Sequence, residues 1–184
     1  MFIETQATPN PATVKFLPGQ TVMAAGSVDF ETPEAAAASP LAAALFSLGD
    51  VAGVFFGADF VSVTAAPGTD WRVLKPQVLS VIVDHFASGA PLLAGGAADS
   101  MAVDDDPADA DIVRQIEELL ESRVRPAVAA DGGDIVYRGF KDGIVYLKMQ
   151  GACSGCPSST ATLKNGIENL LKYYVPEIEE VRAV

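Results

Sequence analysis

Residues 92–106 read LLAGGAADSMAVDDD, and this stretch constrains the fold more than any other. It is built of Gly, Ala and Asp, has no apolar period, and runs into Asp-Asp-Asp-Pro, so it can bury little of itself. A 184-residue chain broken in this way divides into two pieces of domain size. We read residues 1–90 as one small domain, 91–107 as a flexible acidic Gly/Ala linker and 108–184 as a second small domain. No internal repeat relates the two halves.

Each piece has the material for a core, since 49% of the chain is apolar. Charge limits the partners. The chain carries 24 acidic and 12 basic residues, a net −12, and each half is net −6 when divided at Asp99. A nucleic-acid surface needs clustered basic residues, and phosphate and anionic membrane both repel this chain. The most apolar stretches, Ala35–Leu48 and Val51–Phe60, are interrupted by Pro40 and by Gly49, Asp50, Gly53, Gly57 and Asp59. Neither reaches the ~20 residues of a membrane span. The opening MFIETQATPNPATVKF has no basic start followed by an apolar run, and no Arg precedes Arg72, so it reads as neither secretory signal nor transit peptide. The expectation is a soluble protein of the bacterial cytoplasm, or of the mitochondrial matrix for a processed form.

In the first half, Phe2–Ala7 and Thr13–Leu17 read as strands around the turn Thr8-Pro-Asn-Pro11. Pro40–Leu48 reads as a short helix, and Val51–Phe56 with Phe60–Ala65 as a hairpin. Trp71–Ser88 is an amphipathic helix, with Leu74, Val78, Val81, Ile82 and Phe86 on one stripe, Asp70 as N-cap and Gly89 as stop.

The second half begins with a helix over Asp111–Val124, which Pro126 should end or bend near Arg125. Asp131-Gly-Gly-Asp134 reads as a turn, and Ile135–Phe140 and Ile144–Met149 as a hairpin closed by Lys141-Asp-Gly143. After Gly151-Ala-Cys-Ser-Gly-Cys-Pro157 comes a second amphipathic helix, with Leu163, Ile167, Leu170, Leu171 and Tyr174 on one face, stopped by Pro176. Ile178–Val184 supplies a last strand. Both halves are mixed α+β, and the second has the order α-β-β-α-β, a helix pair on one face of a small sheet.

The chain has two cysteines, Cys153 and Cys156, and one histidine. That excludes a disulfide-stapled scaffold and any metal site that needs many Cys or His from one chain. The two thiols stand between a strand and a helix whose first turn holds Pro157, Ser158, Ser159 and Thr160. A helix N-terminus favours anions and lowers thiol pKa values. Gly151 and Gly155 let backbone pass close to whatever the sulfurs hold. Besides two unremarkable loop thiols, the pair is compatible with a dithiol redox couple, structural zinc or an iron–sulfur cluster. A hairpin precedes the motif, where a thioredoxin-type pair would follow a strand of a βαβ unit. Zinc wants four N or S ligands. A cubane cluster usually wants four thiolates, and two chains meeting at this loop would supply them.

The block GACSGCPSSTATLKNGIENLLKYYVPEIEEV closely resembles the C-terminal domain of NifU-like (Nfu-type) iron–sulfur cluster scaffold and carrier proteins. Asp131-Gly-Gly-Asp134 fits that family, and MFIETQATPNPATVKFLPG resembles its separate N-terminal domain. The resemblance implies a [4Fe–4S] cluster bridged between two subunits by Cys153 and Cys156 of each, a homodimer joined through that cluster. It implies a carrier and not an enzyme, loaded by an upstream assembly scaffold. Its implied clients are apo iron–sulfur proteins such as lipoyl synthase and aconitase-like enzymes. The longer relatives carry further cysteine-containing domains absent from this sequence, which favours carriage over primary assembly. The first half, without cysteine, is expected to be a recognition or regulatory module.

Other distinctive residues have plain structural readings. Asp131–Asp134 shape the cysteine loop or merely form a turn that Asp134 caps. Arg123 and Arg125 suit a helix C-terminus, Asp104–Asp106 are solvated linker, and Thr8–Pro11 is a turn. Trp71 packs, and His85, near a helix end, is structural.

Overall fold

The strands expected at the start of the chain form as β1 (Glu4–Ala7) and β2 (Thr13–Leu17). The turn between them is held by side chains. The Thr8 hydroxyl donates to the Thr13 carbonyl at 3.0 Å and accepts from the Asn10 N–H at 3.2 Å, while the Ala12 N–H donates to Asn10 Oδ1 at 3.0 Å. The structure, a computed structural model, describes residues 1–95, 105–154 and 157–184, with the side chains of 157–159 excepted. It forms two compact units, Met1–Ala98 and Asp99–Val184. Among the described residues no helix is long and apolar enough to cross a membrane.

The first unit is a five-stranded antiparallel sheet with helices packed on one face. Beyond β1 and β2 it contains β3 (Val28–Phe30), β4 (Val51–Phe56) and β5 (Val61–Ala65), in the order β1-β2-β5-β4-β3. The helices are α1 (Pro33–Ala36), α2 (Pro40–Phe46) and α3 (Trp71–Ser88). Alternation sends Phe16, Val61, Val63, Val54 and Phe56 to the helix side, where Leu41, Leu45, Leu74, Val78 and Ile82 close the core. Asp70 caps α3, accepting from the Arg72 N–H at 2.9 Å, and Gly89 ends it at φ +67°. Trp71 packs with its ring centroid 6.3 Å from that of Phe16.

The second unit opens with a short 3₁₀ turn, Pro107–Asp109, and then one helical run in three parts. These are α4 (Ala110–Leu119), a π turn over Leu120–Val124, and α5 (Arg125–Ala130). Of the two expectations for Pro126, the ending of the helix near Arg125 is corrected: a π turn interrupts the α-helix just before Arg125 and the run goes on to Ala130. Proline lacks an N–H and its ring collides with the carbonyl four residues back. The wider π turn just before Pro126 relieves that collision and lets the run continue.

The sheet of this unit is β6 (Gly133–Lys141), β7 (Ile144–Gly151) and β8 (Glu180–Ala183), with β7 central. β6 and β7 are antiparallel; β8 lies parallel to β7, and α6 (Pro157–Tyr174) makes the crossover. The hairpin turn has Asp142 at φ +52° and Gly143 at φ +76°, the paired left-handed geometry of the expected Asp-Gly turn. Ile116, Leu120, Val145, Leu147, Ile167 and Leu171 fill the core. Glu168 ties α6 to β8 by accepting the Val181 N–H at 3.1 Å.

Both ends of the expected linker are tied down. Leu92 and Leu93 pack on the first core, and the Ala94 N–H donates to the Ala38 carbonyl at 2.7 Å. Asp105, expected to be solvated, accepts from Tyr137 Oη and from the Phe140 N–H, each at 2.8 Å, and Asp106 caps the 3₁₀ turn at the Ala108 N–H. Asp104 and the rest of 96–104 lie outside the described residues.

Candidate functional site

Cys153 follows the last residue of β7 by two positions, in the loop that leads to α6. The loop around it is hydrogen-bonded at several points. The Ala152 N–H donates to the Gly132 carbonyl at 3.2 Å, and the Ser154 hydroxyl donates to the Gly151 carbonyl at 2.9 Å. The Thr160 hydroxyl, from the first turn of α6, donates to the Cys153 carbonyl at 2.8 Å. Cys153 is only 6% exposed and belongs to the core of the unit.

Gly133 lies directly beneath the sulfur. A Cβ there would stand 2.8 Å from Cys153 Sγ, 3.2 Å from its N and 2.5 Å from the Gln150 carbonyl oxygen. Glycine is the residue that leaves this cradle open. Asp131-Gly-Gly-Asp134 is thus more than a turn: its second half is the first rung of β6, and Asp134 is a buried strand residue, not a turn cap.

Asp134 is held by a fork from the opposite side of the turn. Arg125 donates from Nε to Oδ1 at 2.9 Å and from Nη2 to Oδ2 at 2.8 Å, and its Nη1 reaches Glu121 Oε2 at 2.6 Å. These acidic partners hold the Arg125 guanidinium well above its ordinary pKa. The helix-end reading of Arg123 and Arg125 is corrected accordingly. The helix continues past both, Arg125 locks Asp134, and the Arg123 guanidinium sits 5.1 Å over the Tyr174 ring.

The expected lowering of the thiol pKa does not hold for Cys153. Burial, joined by the nearby carboxylates of Asp131 and Asp134, pushes it up to about 12. The physical reason is orientation: α6 meets the Cys153 carbonyl through Thr160, while the sulfur faces the glycine floor. Cys156 lies outside the described residues, as does Gly155. His85 is on α3, edge-on to Phe86 at 5.5 Å, with its pKa lowered by burial. Among the described residues no three Cys, His, Asp or Glu side chains gather as a metal site. What the loop does offer is one soft sulfur donor over a cradle that a side chain would fill, which suits iron or zinc better than a hard cation.

Sequence reasoning reached Cys153 and noted the Asp-Gly-Gly-Asp run beside it. It named Arg125 only as a helix-end charge and missed its bond to Asp134, nine residues away across a turn, a separation with no local spacing signal.

Two family models match the chain: "NifU-like domain" over residues 116–182 and "Scaffold protein Nfu/NifU N terminal" over residues 3–89. The human protein named NFU1 iron-sulfur cluster scaffold homolog, mitochondrial, is 50% identical over the whole of this chain, which covers 72% of that protein. The Drosophila erecta protein of the same name is 51% identical, and the chain spans 65% of its length. NifU-like protein 4, mitochondrial, of Arabidopsis thaliana is 50% identical over 98% of the chain and is likewise 65% covered. A solution structure of a NifU-like protein from Saccharomyces cerevisiae aligns at a TM-score of 0.48 and 21% identity, covering 52% of this chain and 87% of that one. The chain belongs to the NifU-like, Nfu-type iron–sulfur cluster scaffold family. Its relatives are named as scaffolds, a role in binding rather than catalysis. Their names also place them in mitochondria, which fits the matrix alternative and gives the cytoplasmic reading no support.

Proposed function

We propose that the chain carries an iron–sulfur cluster as cargo. The cluster is a [4Fe–4S] unit held between two copies by Cys153 and Cys156 of each, taken from an upstream assembly scaffold and handed to apo-proteins. Lipoyl synthase and aconitase-like enzymes are the proposed clients. The observation that most supports this reading is the similarity, at 50% identity over the whole of this chain, to a protein named as an iron–sulfur scaffold. Transfer is ligand exchange. A client thiol loses its proton as its sulfur bonds to iron, the bond from Cys153 or Cys156 to that iron breaks, and the released sulfur takes a proton back. No electrons move, and no general base is needed beyond solvent.

The division of labour is also proposed: residues 108–184 carry the cluster, and residues 1–90 choose clients or control access to it. The first unit has a full core and no cysteine, so its contribution is a surface rather than ligands.

The test is iron, acid-labile sulfide and zinc per chain after anaerobic reconstitution, together with the mass in solution. About two irons and two sulfides per chain in a dimer is the expected result. Cys153→Ser and Cys156→Ser should each abolish cluster and cluster-linked dimer together. About one zinc per dimer without sulfide would instead mean a structural metal. A metal-free chain with a reversible Cys153–Cys156 disulfide would mean a dithiol oxidoreductase.

A further inference from the structure

We infer that Arg125 and Asp134 are positioning residues for Cys153: they fix the glycine floor on which its sulfur rests and so hold the thiol at its buried depth. The inference rests on the reading of Cys153 as a cluster ligand, and it adds two residues outside the cysteine motif to the machinery that presents it.

Gly133 makes the close approach to Cys153 Sγ, and no side chain can replace it there without displacing the sulfur or the backbone around it. Its position is set from its two neighbours. On one side the Gly132 carbonyl accepts the Ala152 N–H, so the floor is joined to the cysteine loop itself. On the other side stands Asp134, whose Oδ1 accepts its own chain's next N–H, at Ile135, at 2.8 Å. Both carboxylate oxygens are also gripped by Arg125 at 2.9 and 2.8 Å. A two-point fork fixes the orientation of a carboxylate as well as its place, which a single contact does not. Arg125 in turn belongs to α5, immediately after the π turn, so the anchor is a helix packed through Leu120, Val124 and Val128 into the core. The chain of contact is therefore helix, fork, carboxylate, glycine, sulfur. Glu121 holds the outer face of Arg125 with its side chain 70% exposed, so its share is small.

The consequence is specific to the empty protein. With the fork in place the floor is rigid and Cys153 is shielded. With the fork broken, Asp131–Asp134 becomes free to shift, and the thiol opens to solvent by a local movement that leaves the core standing.

The experiment uses the full chain carrying Cys156→Ser, so that Cys153 is the only thiol, without metal. The rate of Cys153 alkylation by iodoacetamide is followed at fixed pH over a series of low urea concentrations, beside global unfolding of the same proteins. Arg125→Gln should raise the rate about tenfold or more, the effect of losing a charged hydrogen-bond pair. The increase should depend only weakly on urea, as a local opening does. Electrostatics alone predicts the opposite sign, since removing a cation disfavours the reactive thiolate. Arg125→Lys, which keeps the charge and loses the fork, should also react faster than the parent, and Glu121→Gln should match the parent within about twofold. A rate for Arg125→Gln equal to or below the parent's would overturn the inference. So would an increase that follows urea with the full slope of global unfolding, because the pair would then serve stability alone. The functional reading is checked apart from this, by iron and sulfide on the unaltered chain: an alkylation effect without cluster binding leaves the positioning intact and removes its purpose.

Discussion

Gly133 is closely hemmed in, and Gly133→Ala is the most direct probe of its surroundings. The added methyl would stand 2.5 Å from the Gln150 carbonyl oxygen, 2.8 Å from Cys153 Sγ and 3.2 Å from the Cys153 N. Two of these three atoms are backbone, so turning the cysteine side chain aside does not relieve the contact. Gln150 faces Asp134 in the β6–β7 ladder, and the Cys153 backbone is tied down by Thr160 and by its neighbours. The first rungs of the hairpin must part. Overpacking of this kind costs about 1–3 kcal/mol, and the backbone contacts put Gly133→Ala in the upper half of that range. For a domain of under 100 residues each 1 kcal/mol lowers Tm by about 4–8 °C, so a fall of about 8–24 °C follows. Differential scanning calorimetry of the full chain measures it. Gly166→Ala is the matched control, since Gly166 lies within α6 and an added Cβ meets nothing within 4 Å. It should raise stability by about 0.5–1 kcal/mol, the usual gain on replacing a helical glycine. A Gly133→Ala protein within about 2 °C of the parent would refute the reasoning, because the cradle would then be able to yield where its bonding says it cannot.

Other outcomes follow from single contacts. Asp105→Ala removes the acceptor for Tyr137 Oη and the Phe140 N–H and should cost about 1–3 kcal/mol, read by chemical denaturation. Burial first, and Asp105 next, hold the Tyr137 phenol well above its ordinary pKa, so ultraviolet titration should find one of the four tyrosines still protonated at about pH 11. In Asp105→Ala that tyrosine should titrate lower, though burial keeps it from returning fully. Because the folded value is the raised one, the associated stability is intact below about pH 10 and is lost as pH rises beyond it. Gly143→Ala places a side chain at φ +76° with Glu179 Cγ at 3.0 Å, and should lower Tm measurably. In the first unit the Thr13 and Thr64 hydroxyls meet at 2.7 Å, both on the ladder between β2 and β5. Thr13→Val alone should cost about 1–3 kcal/mol and the double Thr13→Val/Thr64→Val less than the sum of the two, a cycle read by urea unfolding.

Much of this fold was legible because its segments obey one period at a time. β7 alternates, α3 and α6 carry their stripes, and Asp142-Gly143 is a turn that few other sequences satisfy. What escaped notice was short or non-local. β3 has three residues and α1 four, too few to show a period, although Thr32-Pro33 is a cap followed by a first-turn proline. Pro126 does not stop the helix because the chain inserts a π turn before it, which no local pattern announces. Asp105 reads as one more linker carboxylate until the bulge of β6 supplies its donors. In the site, the cysteine motif announces itself, whereas the thiol's depth is set by tertiary contacts. Nothing in the motif says that the sulfur faces a core instead of a helix end.

That depth bears on how a carrier differs from a resident metalloprotein. A ligand that stands exposed and deprotonated in the empty chain binds metal at no conformational cost and releases it reluctantly. Cys153 rests in the core over a glycine floor, so on the proposed function each loading must first draw the sulfur out, and each release lets it return. The free energy of that return subtracts from the affinity for the cargo and adds to the ease of handing it on. The same retreat keeps the empty thiol from alkylation and oxidation. A floor that is too loose would give a reactive, tightly binding loop, and one that is too rigid would bar loading. The Arg125–Asp134 fork, attached to a helix at one end and to the floor at the other, is where that balance is set, which is why the Arg125→Gln protein is expected to differ from its parent in the reactivity of Cys153 before it differs in fold.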